Sequence, residues 1–365
     1  MKLEIISRKI HKTIKTPNPQ YFILILTILF YSFSGFQKDI ETSADTTPLE
    51  VSVTLRINKI YNINSVNETY QIDGYLLYSW IDKDAPFTPK DSLMQSIIYE
   101  NARASELMQN ELWVPAFELI NVQGSEDTPN TRIEIYANGR IEYERRFFGT
   151  FSSDMDYIKF PFDSQQYLVE IEPFSYSNHH IIFTNPKLFL EDNADDYLGE
   201  DWEFISSDAH ITTKKYKYMD AHVNSEKNSY SRVVFEIKAK RLSGYYQWQV
   251  LFPLLIIIMA SFSIFWIKEF SSQIGVGFTL MLTVVAFNFY SASILPKLSY
   301  NTFIEYVIIV GYIFIFLGIL AVIVNHRING IEENEDRISL QKHFRYGFPL
   351  AYTIIMIYLY FRLIM

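Results

Sequence analysis

The chain has 365 residues, a formal net charge of -9 and no cysteine, so it is long enough for two domains and has no disulfide, thiolate metal site or thiol nucleophile. The acidic balance sits in the first two thirds and argues against nucleic acid as a partner, because a phosphate backbone binds basic patches. It attracts cations instead.

Residues 1–38 read as a signal peptide. MKLEIISRKIHKTIK carries Lys2, Arg8, Lys9, Lys12 and Lys15, and the apolar run YFILILTILFYSFSG then ends on small residues. That run is short for a spanning helix, and an uncleaved anchor is the alternative. In either case the next domain, 39–243, is expected outside the cytoplasm.

That domain reads as short strands and turns. VSVTLRINKIY, TYQIDGYLLYSW, TRIEIYANGRIEYERRF and YLVEIEPF alternate apolar and polar residues. Asn138-Gly139 between two alternating runs marks a hairpin. The spacing of strands and turns predicts a β-sandwich or barrel. Residues 85–109 break the pattern and read as a loop leading into a short helix. FPFDSQQY, 160–167, interrupts a strand-like segment with a proline and an acid between two large aromatics.

Carboxylates and aromatics recur in this domain. Glu118 follows Trp113 and Pro115, and Glu172-Pro173-Phe174 ends a strand. Tyr216 and Tyr218 share a strand face, and Tyr230 follows the polar tip AHVNSEKNS. Aromatic faces and carboxylates together suit a protonated amine. The plainer alternative is sandwich packing, since Phe and Tyr commonly fill strand faces.

Residues 244–365 form the membrane part. Apolar segments at 246–267, 274–295, 302–324 and 344–364 each approach the ~20 residues that span a bilayer. Pro253 in the first is tolerable, because neighbouring groups satisfy freed carbonyls. The third link carries Arg327, Arg337, Lys342 and Arg345, and basic links stay cytoplasmic. Four crossings from an outside β domain place it there. The expectation is a multi-pass protein of the cell membrane, inner or plasma.

In the second segment Gly275, Thr279, Leu282, Ala286, Phe289 and Ser293 recur at spacings of three and four. Such a stripe is either a packing face for close helices or a pore lining. As a lining, Thr279 supplies a hydroxyl ring, and Leu282 and Phe289 form apolar constrictions. The lining requires a ring of subunits. Thr283 and Asn288 lie off the stripe and are expected to find partners on neighbouring helices.

With FPFD in an extracytoplasmic β domain followed by four spans, the chain resembles the pentameric ligand-gated ion channels, the Cys-loop receptor family, and especially its prokaryotic, amine-gated branch. The runs that carry the resemblance are INKIY, LWVPA, SDMD, FPFD followed by QQ, EPFSY, FTLMLTVVA and ILPKL. They cover nearly everything after the signal. The two cysteines that close the loop around FPFD in animal members correspond to Ser153 and Tyr167. Bacterial relatives also lack that bond.

The resemblance implies a β-sandwich extracellular ligand-binding domain above a four-helix transmembrane domain, assembled as a homopentamer around a central pore lined by the second helix. It implies an agonist between subunits, with Glu118, Glu172, Phe174, Tyr216 and Tyr230 on the principal face and Tyr75, Arg132 and Glu144 on the complementary face. Glu144 departs from the amine-gated pattern, which has asparagine there. For coupling it implies Pro161, Asp163, Arg241, Pro296 and Lys297 meeting at the membrane surface, with Asp163 paired to Arg241. The implied function is a channel opened by small primary amines.

Monovalent cations are the expected permeant ions, although Ser272 and Gln273 stand where the amine-gated pattern has glutamate and arginine. Glu269, about a turn earlier, is the substitute. The Pro-Ala insertion of anion-selective relatives is missing. An anion-selective channel of the same family, or a membrane-anchored amine sensor without conduction, is the alternative. No cofactor or metal is implied. Asp208 and His210 share a strand face while His179 and His180 point apart, too few ligands for a metal site. No P-loop, GxSxG, HExxH or Rossmann pattern points to an enzyme.

Overall fold

Strand alternation builds the first half of the chain. In the computed structural model, β1 (Leu49–Asn64) turns Val51, Val53, Leu55 and Ile57 inward, and all four are fully buried. Burial of each such side chain contributes about 1.5–3 kcal/mol. β2 (Thr69–Ile81) does the same with Tyr70, Ile72, Leu76, Tyr78 and Trp80. The structure describes residues 47–85, 87–88, 94–190, 197–217, 229–293, 297–329 and 335–365, with the side chains of 329 and 335–339 outside that description. The expected signal 1–38, Tyr218, Pro296 and the Arg337 side chain therefore lie outside the described residues.

Eight further strands complete two sheets. They are β3 (Ser96–Glu100), β4 (Phe117–Leu119), β5 (Thr131–Tyr136), β6 (Arg140–Ser152), β7 (Ser164–Pro173), β8 (Ile181–Phe189), β9 (Trp202–Lys215) and β10 (Ser229–Arg241). One sheet runs β3-β5-β6-β2-β1-β8 and the other β4-β7-β10-β9. Among the described strands only the β1–β8 pair is parallel. Aromatic contacts join the two inner faces: Tyr70 meets Tyr167 with ring centroids 5.0 Å apart, and Tyr78 stacks on Phe117 at 4.2 Å. The Asn138-Gly139 turn closes the β5–β6 hairpin, with Gly139 at φ 81°.

The segment read as loop and short helix holds more order. β3 pairs with β5, and α1 (Ala102–Asn110) follows it. Five residues at a sheet edge are too few for alternation to show.

Four long apolar helices follow: α2 (Gly244–Trp266), α3 (Phe270–Ser291), α4 (Phe303–Asn329) and α5 (Glu335–Leu363). In α2 a π-helical turn over Gln247–Leu251 leads into an α segment that starts around Pro253, so the missing N–H falls where the ladder already changes. α2 ends in a 3₁₀ stretch, Phe262–Trp266. The Gln273 amide donates to the carbonyls of Ile264 and Ile267, both at 2.9 Å, and so tethers α3 to that end. α3 thus starts at Phe270 rather than 274. Thr302 and Glu305 form a reciprocal capping box at the start of α4. α4 and α5 run beyond the expected spans because hydropathy marks only the bilayer core.

Candidate functional site

The principal-face residues gather on the outward side of the four-stranded sheet. Strand parity decides this: Val169 and Ile171 point into the core, so Glu170, Glu172 and Phe174 point out. Glu118 and Glu172 sit directly opposite each other in the β4–β7 ladder. Phe174 is 66% exposed. Tyr216, just past β9, meets Tyr230 edge-on with centroids 5.7 Å apart.

A residue outside the expected set organises this face. Arg232 on β10 is buried and donates in three directions. Nε binds Glu172 at 2.5 Å, Nη1 binds Glu170 at 2.5 Å and Nη2 binds the Tyr216 hydroxyl at 3.0 Å. The Tyr216 hydroxyl donates in turn to Glu172 at 2.8 Å. Burial works against the Arg232 charge, but the hydrogen bond and charge of Glu172 and the charge of Glu170 outweigh it and hold its pKa above the ordinary value. Burial and the bond to Glu172 push the Tyr216 hydroxyl up.

The complementary-face residues gather on the outward side of the other sheet. Tyr75, Arg132 and Glu144 line one cavity of about 320 Å³, together with Glu100, Asn101 and Arg146. Arg132 and Glu144 are cross-strand partners, with charged groups 3.6 Å apart, and Arg132 also binds Glu134. Glu144 is therefore a partnered carboxylate. The guanidinium groups of Arg56 and Arg146 both lie 5.8 Å from the Tyr75 ring, and Arg146 is fixed by a two-point contact to Asp73. The two residue groups occupy different sheets of one sandwich.

The FPFD loop lies against the helices. Its Phe160–Pro161 peptide is cis. Phe160 packs edge-on against Tyr246 of α2 at 4.8 Å, and Phe162 against Phe303 of α4 at 5.8 Å. The Phe303 N–H donates to the Ile158 carbonyl at 3.0 Å, and Lys159 Nζ reaches the Ile364 carbonyl at 3.0 Å. Asp163 accepts from Nε and Nη2 of Arg241, whose guanidinium lies 4.4 Å from the Trp202 ring and 5.1 Å from Phe160. Burial opposes the Arg241 charge, but Asp163 overrides it and raises its pKa. Lys297 is exposed, and among the described residues of the α3–α4 link Tyr300 meets the loop, its hydroxyl accepting from the Tyr157 N–H at 3.1 Å.

α3 presents two unlike faces. Gln273, Gly277, Val284 and Ser291 are buried against the chain's own helices. A Cβ on Gly277 would lie 2.7 Å from Ile319 Cγ1, so glycine permits the close approach of α4. The opposite stripe of Gly275, Thr279, Leu282, Ala286, Phe289 and Ser293 is exposed throughout, Leu282 by 69% and Phe289 by 73%. Ser293 lies just past the helix end. Thr279 donates to the Gly275 carbonyl, which leaves its hydroxyl oxygen free to accept. Thr283 donates to the Thr279 carbonyl and so needs no partner on another helix. Before α3, exposed Glu269 accepts from the hydroxyls of Ser272 at 2.7 Å and Ser271 at 2.8 Å, which hold its pKa below the usual carboxylate range.

Residues 27–243 match the neurotransmitter-gated ion-channel ligand binding domain. The chain belongs to this family of ligand-gated ion channels. It is similar to a proton-gated ion channel of Gloeobacter violaceus, 23% identical over 317 residues that cover 86% of this chain and 84% of the relative. It is also similar to gamma-aminobutyric acid receptor subunit beta-4 of Gallus gallus, 24% identical over 312 residues covering 84% of this chain and 61% of the relative. Subunit beta of the gamma-aminobutyric acid receptor of Lymnaea stagnalis is 26% identical over 299 residues, covering 78% of this chain and 57% of the relative. The chain thus spans less than two thirds of either receptor subunit. As a member of a channel family it is not an enzyme, and it is a multi-pass membrane protein.

Sequence reasoning missed four of this channel protein's residues. Arg232 carries an outward-parity signal on β10, but its partners stand 60 and 62 residues away in Glu172 and Glu170. Glu100 and Arg146 enter the Tyr75 cavity only through the β3-β5-β6-β2 order. Tyr300 reaches Tyr157 across 143 residues.

Proposed function

We propose that this chain is the subunit of a homopentameric channel of the cell membrane, cation-selective and opened by small primary amines that bind between subunits. The observation that carries the reading is the α3 stripe. Its six residues face away from the chain's own bundle, while the opposite face is packed. A ring of such helices encloses a path lined by Thr279 hydroxyls and apolar constrictions at Leu282 and Phe289. An amine sensor without conduction has no use for that stripe.

The two sheet faces support an agonist between copies. Glu118, Glu172, Phe174, Tyr216 and Tyr230 lie on one sheet, and Tyr75, Arg132 and Glu144 on the other, so a site using both sets takes them from adjacent subunits. The sequence runs resemble the amine-gated Erwinia ligand-gated ion channel, which favours an amine. Glu269 at the start of α3 and the acidic outer domain favour cations. The FPFD loop, with Pro161, Asp163 and Arg241 and the link through Pro296 and Lys297, transmits between binding and gate.

Voltage-clamp recording with a panel of primary amines, then reversal potentials in cation and chloride gradients, tests this. Amine-evoked current reversing at the cation potential is expected. A reversal that follows chloride makes the channel anion-selective. Current opened by a pH step alone, as the name of the Gloeobacter relative suggests, replaces the amine. Saturable amine binding without flux sinks conduction.

A further inference from the structure

We propose that the interior of the sandwich holds a binding site for a small monocarboxylate, built on Arg145 and separate from both outward sheet faces. It stands independently of the amine reading. β6 sends Glu144 and Arg146 outward and turns Arg145 and Phe147 between the sheets. Arg145 is thus a guanidinium in the core, only 7% exposed. Glu126 covers one of its nitrogens, accepting from Nη1 at 2.5 Å. Nε and Nη2 have no hydrogen-bond partner among the described residues. These two nitrogens form the forked edge that holds a carboxylate at two points. Two other arginines of the chain use that edge in this way. Arg146 gives it to Asp73 at 3.1 and 2.9 Å, and Arg241 gives it to Asp163 at 2.9 and 3.1 Å. Arg145 buries the same edge with no carboxylate of the described chain on it. A buried donor left unmet is costly, so the edge calls for an acceptor from outside.

A cavity of about 240 Å³ gives that acceptor room. Its lining includes Arg145 with Met108, Val114, Pro115, Phe117 and Tyr143. Arg145 supplies the charge and the remaining walls are largely apolar, which fits a short alkyl chain behind the carboxylate. Tyr78 adds a further donor: its ring stacks on Phe117 at 4.2 Å and its hydroxyl is buried without a hydrogen-bond partner. Burial pushes that hydroxyl up to about 12 and keeps it neutral. Glu126 already balances the Arg145 charge, so the directed fork rather than net charge selects the ligand. A spherical ion such as chloride gains little from a fork. The second Glu126 oxygen, buried and also without a partner, disfavours anions of higher charge. Phe117 looks into this cavity while its neighbour Glu118 is exposed, so the cavity and the outward site share β4 but not a face.

The test uses the full chain in detergent, with butyrate as the probe and butyramide and chloride as controls. Butyrate is expected to raise the unfolding midpoint saturably and to give a saturation-transfer NMR signal at its methyl group. Butyramide, and chloride at equal ionic strength, do neither. Arg145→Lys keeps the charge without the fork and is expected to raise the half-saturating butyrate concentration about 10-fold or more. Tyr78→Phe removes one hydrogen bond and raises it roughly 3–10-fold. Arg145→Met abolishes the response; should that variant fail to fold, Arg145→Lys and Tyr78→Phe still decide. An equal midpoint rise with butyramide or chloride overturns the carboxylate assignment. A butyrate response unchanged in Arg145→Lys and Tyr78→Phe places the ligand elsewhere and overturns the site. No midpoint rise and no NMR signal in the unaltered chain at millimolar butyrate means that water alone completes Arg145, and the proposal falls.

Discussion

Asp163 accepts from Nε and Nη2 of Arg241 at 2.9 and 3.1 Å, and both side chains are buried where the β domain meets the helices. Gln165 adds a third donor to the carboxylate at 2.6 Å. The pair joins the end of the FPFD loop to the last residue of β10, three residues before α2 begins. Asp163→Ala leaves a guanidinium uncompensated among the rings of Phe160, Trp202 and Tyr246, a loss on the order of 3–5 kcal/mol. The expected outcome is failed assembly or opening, with amine binding by whatever protein folds little changed. Size-exclusion profiles with flux and binding on the same sample check it, and normal expression with normal flux would falsify it.

Leu282 and Phe289 are the most exposed apolar side chains of α3. In a ring they form the barrier that dewets. Leu282→Ala shortens that barrier at no cost to the chain's own packing. Proteoliposomes carrying it are expected to leak cations without amine. A tight channel with an ordinary amine response would remove Leu282 from the gate.

Gly277 is a point of close approach between α3 and α4. Gly277→Ala forces its Cβ to within 2.7 Å of Ile319 Cγ1, an atom too near the backbone to swing aside. The expected loss is about 1–3 kcal/mol of overpacking. Combined with Ile319→Ala, the loss is less than the sum of the single losses, because one change makes room for the other. Thermal unfolding of the three variants decides it; strict additivity rules out the contact.

Glu269 has its carboxylate pKa lowered by the hydroxyls of Ser272 and Ser271. A lowered pKa keeps the group ionised to more acidic pH. If it lines the inner mouth, cation conductance persists as cytoplasmic pH falls. In Ser271→Ala/Ser272→Ala the pKa returns toward the ordinary glutamate value, and conductance declines at a higher pH than in the unaltered channel. Single-channel conductance against cytoplasmic pH checks this, and superimposable profiles would discard the role of Glu269.

Periodicity by itself determined which residues share a face. The three-and-four spacing in α3 separated the stripe of Thr279, Leu282 and Phe289 from the packed side, whereas the pairing of Arg132 with Glu144 came from the β5–β6 register. The stripe is a local consequence of the 3.6-residue repeat, and it holds whatever the rest of the chain does. Hydropathy likewise marked four apolar segments but not the helix ends, because the capping box at Thr302 and the Gln273 tether are polar and local.

Only the tertiary structure decided how the charges are paired. Arg232 could have faced solvent on β10; the order β4-β7-β10-β9 brought it beside Glu172 and Glu170. The same holds for Tyr300, whose hydroxyl meets the Tyr157 N–H from the α3–α4 link. Ion pairs and hydrogen bonds form between groups a few ångströms apart in space, and the sequence orders residues only along the chain. Which face a side chain takes was legible from its neighbours; what it meets there was set by strands and helices scores of residues away.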